Sequence, residues 1–167
     1  MSSVNYDPVK AHEYYERTKK LKGRHSTKGM SDTQKETWAY AKDQLKEEHK
    51  GINAQISEDK KEQLAAISES VQEQKEQLSD KAKDQIENLR EKLKSMPKEK
   101  KKEMRAKIQE AIGKIKSDLK TAKNDIASTG AGAKEVTRAT ASAAKEQEAA
   151  DYEKRKDAAY EKIKGMK

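Results

Sequence analysis

The sequence predicts an all-α, elongated protein with a small N-terminal helical head, a long antiparallel helical hairpin or coiled coil, and a C-terminal helix. Only 32% of the 167 residues are hydrophobic, 41% are charged, and there is no phenylalanine. Ordering a chain costs roughly 1–2 kcal/mol per residue, and this chain has too few large apolar side chains to offset that around one central core. Lysine, glutamate, glutamine and alanine dominate, and all four favour helix.

The first domain, residues 1–50, is predicted to be a helix–turn–helix head rich in aromatic and basic residues. Asp7-Pro8 is typical of a helix start, and Lys22-Gly23 of a helix end. Ser31-Asp32-Thr33-Gln34 has the form of a capping box, which starts a second helix from about Asp32 to His49. The head is expected to pack through its rings, which are Tyr6, Tyr14, Tyr15, Trp38 and Tyr40.

The second domain, residues 51–128, is predicted to be a long helical hairpin with its turn near Pro97. Apolar residues recur at steps of three and four on both sides of this proline, as they do along an amphipathic or coiled-coil helix. Proline interrupts a helix interior but is tolerated at a helix start, so a new helix should begin there, with Ser95 or Met96 as its cap. The predicted self-association seam consists of Leu89, Leu93, Ile108, Ile112, Ile115, Leu119 and Ile126.

The third segment, residues 129–142, is predicted to be a flexible linker, because it contains Gly130-Ala131-Gly132 and is otherwise rich in alanine, threonine and serine. A basic C-terminal helix, residues 143–167, should follow the linker. Its tyrosines and basic residues could dock on an acidic protein surface, and the predicted docking residues are Tyr152, Arg155, Tyr160 and Lys162.

Basic clusters are the candidate binding sites. The chain carries a net charge of +8, which favours an acidic partner such as nucleic acid or an acidic protein face. Basic groups beside aromatic rings can hold phosphates and stack on bases, and the head has this composition. The predicted partner-binding or nucleic-acid-binding residues are Lys10, Tyr14, Tyr15, Arg17, Lys19, Lys20, Lys22, Arg24, Lys28 and Trp38. The alternative is that the rings form the core of the head and the lysines keep it soluble. A second basic cluster spans Lys98 to Lys107.

The sequence gives little support to catalysis, so the chain is not expected to be an enzyme and no cofactor is expected. The three histidines lie in separate segments without metal-ligand neighbours, and there is no cysteine. The carboxylates are predicted to be interleaved with lysines along solvated helix faces. No apolar run approaches the ~20 residues that span a bilayer, and no signal peptide is apparent, so a cytoplasmic location without a membrane partner is expected.

The opening of the chain resembles a group of small proteins from tailed-bacteriophage genomes, found among the head and virion-assembly genes. The resemblance rests on Asp7-Pro8-Val9-Lys10-Ala11-His12-Glu13-Tyr14-Tyr15, on Leu21-Lys22-Gly23-Arg24 and on Ser31 to Glu48, roughly the first 50 residues. It implies a scaffolding or internal capsid protein that self-associates and binds coat protein, another virion protein or DNA. Its location would be the cytoplasm of the infected host cell or the virion.

Two other functions are compatible with the sequence. A basic nucleic-acid-binding accessory protein would use the head to hold phosphates, and its binding would weaken steeply with salt. A hydrophilic stress or hydration protein would fit the mean hydropathy of −1.28. Such chains are usually disordered when free, whereas the apolar periodicity between Met104 and Ile126 favours a folded helix.

Overall fold

The computed structural model describes residues 8–19 and 24–166. It contains three α-helices, α1 (Pro8–Lys19), α2 (Asp32–Lys94) and α3 (Lys98–Lys164). No strand occurs in the described ranges. The prediction of an all-α fold built on a long helical hairpin is therefore confirmed.

Helix α2 begins with the predicted capping box. The backbone N–H of Gln34 donates to the Ser31 hydroxyl (3.2 Å), and the Ser31 N–H donates to Gln34 Oε1 (2.8 Å). The two residues thus satisfy each other's unpaired N–H groups at the start of the helix.

The turn between α2 and α3 spans residues 95–97, as the sequence predicted. The Pro97 carbonyl accepts the first hydrogen bond of α3, from the Lys101 N–H (2.9 Å). The Ser95 hydroxyl instead donates to the carbonyls of Glu91 and Lys92 at the end of α2. Pro97 therefore caps α3, and the expectation that Ser95 or Met96 would do so is wrong.

The chain divides into two compact units that share α2 and α3. Unit 1 comprises residues 1–62 and 137–167, and unit 2 comprises residues 63–136. The predicted head and the predicted C-terminal helix thus belong to one unit. The core of unit 1 contains Trp38, Tyr160 and Ile163, all more than 90% buried. Met30, Ala41 and Ala159 pack around them.

Unit 2 consists of residues 63–94 of α2 and 98–136 of α3. Ile108 and Ala82 are buried in it, whereas most of its other leucines and isoleucines are half-buried. Each helix thus presents a narrow apolar seam to the other, and the remaining faces are exposed.

Helix α3 is continuous through residues 129–142, so the prediction of a flexible linker there is wrong. Gly130 is buried, and a Cβ at this position would lie only 2.4 Å from Cγ2 of Val71. The glycine therefore allows the backbone of α3 to approach α2 closely. Surrounding hydrogen-bonded turns and this packing outweigh the weak helix propensity of glycine, about 1 kcal/mol relative to alanine. The separate C-terminal helix predicted at 143–167 is the end of the same α3.

Candidate functional site

The predicted basic-aromatic site of the head is only partly described. Lys10 and Arg17 on α1 and Lys28 in the following loop are exposed. Lys20 and Lys22 lie outside the described residues, as do the side chains of Tyr14, Tyr15 and Lys19. The two remaining members, Arg24 and Trp38, have structural environments that bear directly on the prediction.

Arg24 binds the C-terminal part of α3. Its guanidinium forms ion pairs with Glu153 and Asp157 and donates to the Glu153 carbonyl (3.1 Å). Burial disfavours its charged form, but hydrogen bonds to the two carboxylates outweigh that effect and raise the Arg24 pKa. A group with a raised pKa contributes its stabilisation fully below its ordinary pKa and loses it only as pH rises further. Arg24 therefore stabilises unit 1 across the neutral range and is not a free phosphate ligand.

His25 extends this contact into the aromatic core. Its ring lies 5.1 Å from that of Trp38 and 5.0 Å from that of Tyr160, and its Nε2 is 2.6 Å from Oδ1 of Asp157. The backbone of His25 is left-handed, with φ of 63°. Packing and the carboxylate contact hold it in this uncommon conformation.

Trp38 is 1% exposed and packs edge-on against Tyr160, with ring centroids 5.3 Å apart. It cannot stack on a base while this core is intact, so its assignment to a nucleic-acid site is wrong. Of the predicted head rings that the structure describes, Trp38 packs in a core, with His25 and Tyr160 as its partners. Tyr6 lies outside the described residues, as do the side chains of Tyr14 and Tyr15. Tyr40 is 68% exposed and takes no part in that core.

The predicted C-terminal docking residues are mostly engaged within unit 1. Tyr160 is 8% exposed and donates its hydroxyl hydrogen to the Ser26 carbonyl (2.6 Å), so it is unavailable to a partner. Tyr152 stacks on His49 with ring centroids 4.3 Å apart. Of the four predicted residues, only Lys162 is exposed.

Arg155, the fourth of these residues, belongs to a buried polar cluster. Its guanidinium pairs with Glu148, whose side chain is 7% exposed, and this hydrogen bond is the main cause of a raised Arg155 pKa. Glu148 also lies 3.2 Å from Nδ1 of His49, and the Asn53 amide lies 3.2 Å from Nε2. Buried charges need such partners, so this cluster holds α2 and α3 in register within unit 1.

The predicted self-association seam faces inward in unit 2. Ile108 is 5% exposed, whereas the other six seam residues are half-buried. Leu89 and Ile115 line one groove between the two helices, and Ile126 lines another with Val71. The two helices of the hairpin therefore bury the middle of the seam against each other. The edges of the seam remain accessible to solvent.

Unit 2 has an acidic stripe that the sequence interpretation missed. It occupies the face of α2 opposite the apolar seam, and successive members lie three or four residues apart, about one helical turn. All members are exposed. The acidic stripe consists of Glu69, Glu73, Glu76, Asp80, Asp84, Glu87 and Glu91.

A basic stripe lies on α3 of the same unit, along one flank of its seam. Its members also follow helical spacing, and all are exposed except the half-buried Lys123. The acidic residues of this part of α3 project roughly a quarter-turn or more away from the stripe. The basic stripe consists of Lys98, Lys102, Arg105, Lys116, Lys120 and Lys123.

Neighbouring members of both stripes are like charges at positions i and i+3 or i+4, except across the 11-residue step from Arg105 to Lys116. Each such pair destabilises an isolated helix by roughly 0.2–0.5 kcal/mol, whereas an opposite pair would stabilise it by a similar amount. In the described residues, no ion pair joins a member of either stripe to another side chain. Glu76 accepts a hydrogen bond from Gln72 (3.3 Å), and basic residues at positions 81, 83, 90 and 94 lie three or four residues from the later acidic members. The like-charge repulsion of the acidic stripe is therefore least offset between Glu69 and Glu76.

The charges lie on solvated faces, as the sequence predicted, but like charges gather on one face of each helix. Lys83, Arg90 and Lys94 lie beside the C-terminal half of the acidic stripe, so the two signs are interleaved there. Each stripe lies within one helix of the predicted hairpin, so this helical register was available from the sequence alone.

Neither a metal-ligand cluster nor a membrane-spanning helix occurs in the described part of the chain. No group of three or more histidine, cysteine, aspartate or glutamate side chains is arranged to hold a metal ion there. No helix there is long and apolar enough to cross a membrane. No protein-family model, curated protein or solved structure matches the chain.

Proposed function

We propose that this chain is a bacteriophage virion-assembly protein of the scaffolding or internal capsid type, which self-associates and binds another virion protein or DNA. It would act without catalysis, by holding partners at a spacing set by its helices. The sequence resemblance of the first 50 residues to head and virion-assembly proteins motivates the bacteriophage setting.

The half-buried seam of unit 2 is the observation that carries the proposal. Two helices cover each other on one side only, so apolar atoms of residues such as Ile112 and Leu119 remain partly accessible along the groove edges. Burial of apolar surface contributes roughly 25 cal/mol per Å², and a neighbouring hairpin could cover these edges. Self-association therefore offers stabilisation that a single hairpin lacks.

The two alternatives have less support from the contacts. A nucleic-acid-binding head would use Arg24 and Trp38, but the first is paired with carboxylates and the second is buried. A hydration protein that is disordered when free would not need the reciprocal capping box or the packed rings around Trp38. Both observations favour a protein that works in a folded helical form.

Co-expression with the major coat protein encoded in the same genome would test the proposed function. We expect this chain to raise the fraction of closed, uniform shells seen by electron microscopy and to sediment with shells or their precursors. The matched controls are Ile112→Asp with Ile115→Asp, which should abolish the effect, and Gly132→Ala, which should preserve it. Shells that form equally well without this chain, and never contain it, would refute the proposal.

A further inference from the structure

We propose that a second copy of this chain docks on unit 2, with the acidic stripe of one copy against the basic stripe of the next. This inference rests on the proposed function, because it specifies how the self-association would occur. It concerns the exposed charged faces of α2 and α3, and the contact adds to the apolar contact along the edges of the seam rather than replacing it.

The two stripes are similar in length and keep to the same helical register, although the basic stripe has no member between Arg105 and Lys116. From Glu69 to Glu91 the acidic stripe extends for about 33 Å, and from Lys98 to Lys123 the basic stripe extends for about 37 Å, at 1.5 Å per residue. The acidic stripe repeats at steps of four, three and four, an 11-residue period that stays almost straight along an α-helix. Two such stripes can therefore run side by side over their whole length without winding apart.

Charge complementarity within one chain favours a second copy as the occupant. An unrelated partner would explain one stripe and leave the other, with its like-charge repulsion, without a role. Duplex nucleic acid could cover the basic stripe through phosphate contacts, but it would be repelled by the acidic one. A second copy neutralises one stripe of each partner with residues already present, and further copies can neutralise the stripes that remain.

The contact must be heterologous. The acidic stripe lies on the side of α2 away from its apolar seam, whereas the basic stripe flanks the seam of α3, so the two stripes face different directions. One pairing therefore uses the acidic stripe of one copy and the basic stripe of its neighbour, and leaves one stripe free on each. Heterologous contacts of this kind add further copies until a ring closes, or continue without closing.

Charge reversal and rescue would test the pairing by analytical ultracentrifugation of full-length protein freed of nucleic acid. The acid-reversed variant carries Glu73→Lys, Glu76→Lys and Asp80→Lys, and the base-reversed variant carries Lys116→Glu, Lys120→Glu and Lys123→Glu. A matched control, Lys100→Glu with Lys107→Glu and Lys114→Glu, changes the same charge on another face of α3. Circular dichroism would confirm that each variant remains helical.

We expect the wild type to associate at low salt and to dissociate as salt screens the stripes. Each reversed variant alone should associate at least about tenfold more weakly, because opposed charges become like charges. An equimolar mixture of the two should recover the association, since each supplies the stripe that the other has lost. The control variant should behave like the wild type.

Three results would overturn the inference. If both reversed variants associate as the wild type does, self-association stands but the stripes are not its interface. If the mixture fails to recover association, the stripes do not pair with each other. If the wild type is monomeric throughout and assembles only on added duplex DNA, the basic stripe binds nucleic acid. The coat-shell experiment addresses the proposed function separately, so its failure is distinguishable from each of these.

Discussion

Trp38 and Tyr40 are two residues apart on α2, yet they have opposite environments. Trp38 is 1% exposed in the core of unit 1, and Tyr40 is 68% exposed. Trp38→Ala should lower the free energy of unfolding by about 3–5 kcal/mol, because it empties the space between His25 and Tyr160. Tyr40→Ala should change it by less than about 0.5 kcal/mol. Urea denaturation followed by circular dichroism would check both, and equal losses would contradict the assigned core.

Gly130 and Gly132 provide a second matched pair. Gly130→Ala should destabilise the hairpin by about 1–3 kcal/mol, because the new methyl group meets the stiff, β-branched Val71. Gly132→Ala should stabilise it by up to about 1 kcal/mol, since nothing lies within 4 Å of its Cβ position. Thermal unfolding would measure both changes. Adding Val71→Ala should recover part of the loss at Gly130; no recovery would mean that this contact is not its cause.

The contact partners of single residues were the hardest feature of this structure to predict from the sequence. The sequence marked Trp38 and Arg24 as chemically notable, but their partners lie more than a hundred residues away in the chain, beyond the reach of local patterns. Arg24 contacts Glu153 across 129 residues. The low helix propensity of Gly130 led to the prediction of a linker there. The contact with Val71 that requires a glycine becomes evident only once the two helices are paired.

Gln34 links the ends of two helices. Its Oε1 accepts from the Ser31 N–H at the start of α2, and its Nε2 donates to the Met166 carbonyl (2.7 Å) and the Ile163 carbonyl (3.2 Å) at the end of α3. One side chain thus satisfies unpaired groups at both helix termini.

Gln34→Ala should therefore destabilise unit 1 by about 1–2 kcal/mol, at or above the usual loss of a single cap. Gln72→Ala is the matched control, since Gln72 makes only an exposed side-chain bond to Glu76 within α2. Hydrogen exchange would show the effect directly. We expect faster exchange at the ends of both helices in Gln34→Ala and unchanged exchange there in Gln72→Ala. An effect confined to α2 would show that the contact with α3 is unimportant.

Helix ends with a local sequence signal were easier to predict than the continuity of the helices. The capping box and the turn at Pro97 have local causes and were located from sequence. The continuity of α2 through Gly51 and of α3 through Gly130–Gly132 depends on packing and on cooperative helix propagation, which local propensities do not report.

At the scale of the whole molecule, the apolar seam of unit 2 should control how cooperatively the helices unfold. Ile112→Asp with Ile115→Asp places two charges between the helices of unit 2, so helicity should fall sharply and self-association should be lost. Lys114→Ala with Ser117→Ala lies on exposed positions of the same helix turns and should leave both unchanged. Circular dichroism and sedimentation velocity would provide the readouts. Unaltered helicity in the aspartate variant would disprove the role of the seam.

The contacts of the loop at residues 24–30 have a consequence for how the chain folds. His25 and Asp157 are 132 residues apart, and joining them in an unfolded chain would carry a loop-closure cost that grows with the logarithm of that separation. The three-residue turn at 95–97 carries little such cost. Folding should therefore begin at the turn and propagate along the paired helices toward the chain ends. The cluster of His25, Trp38 and Tyr160 should form last. Tryptophan fluorescence, which reports on Trp38 alone, would then mark the final step of folding rather than the first.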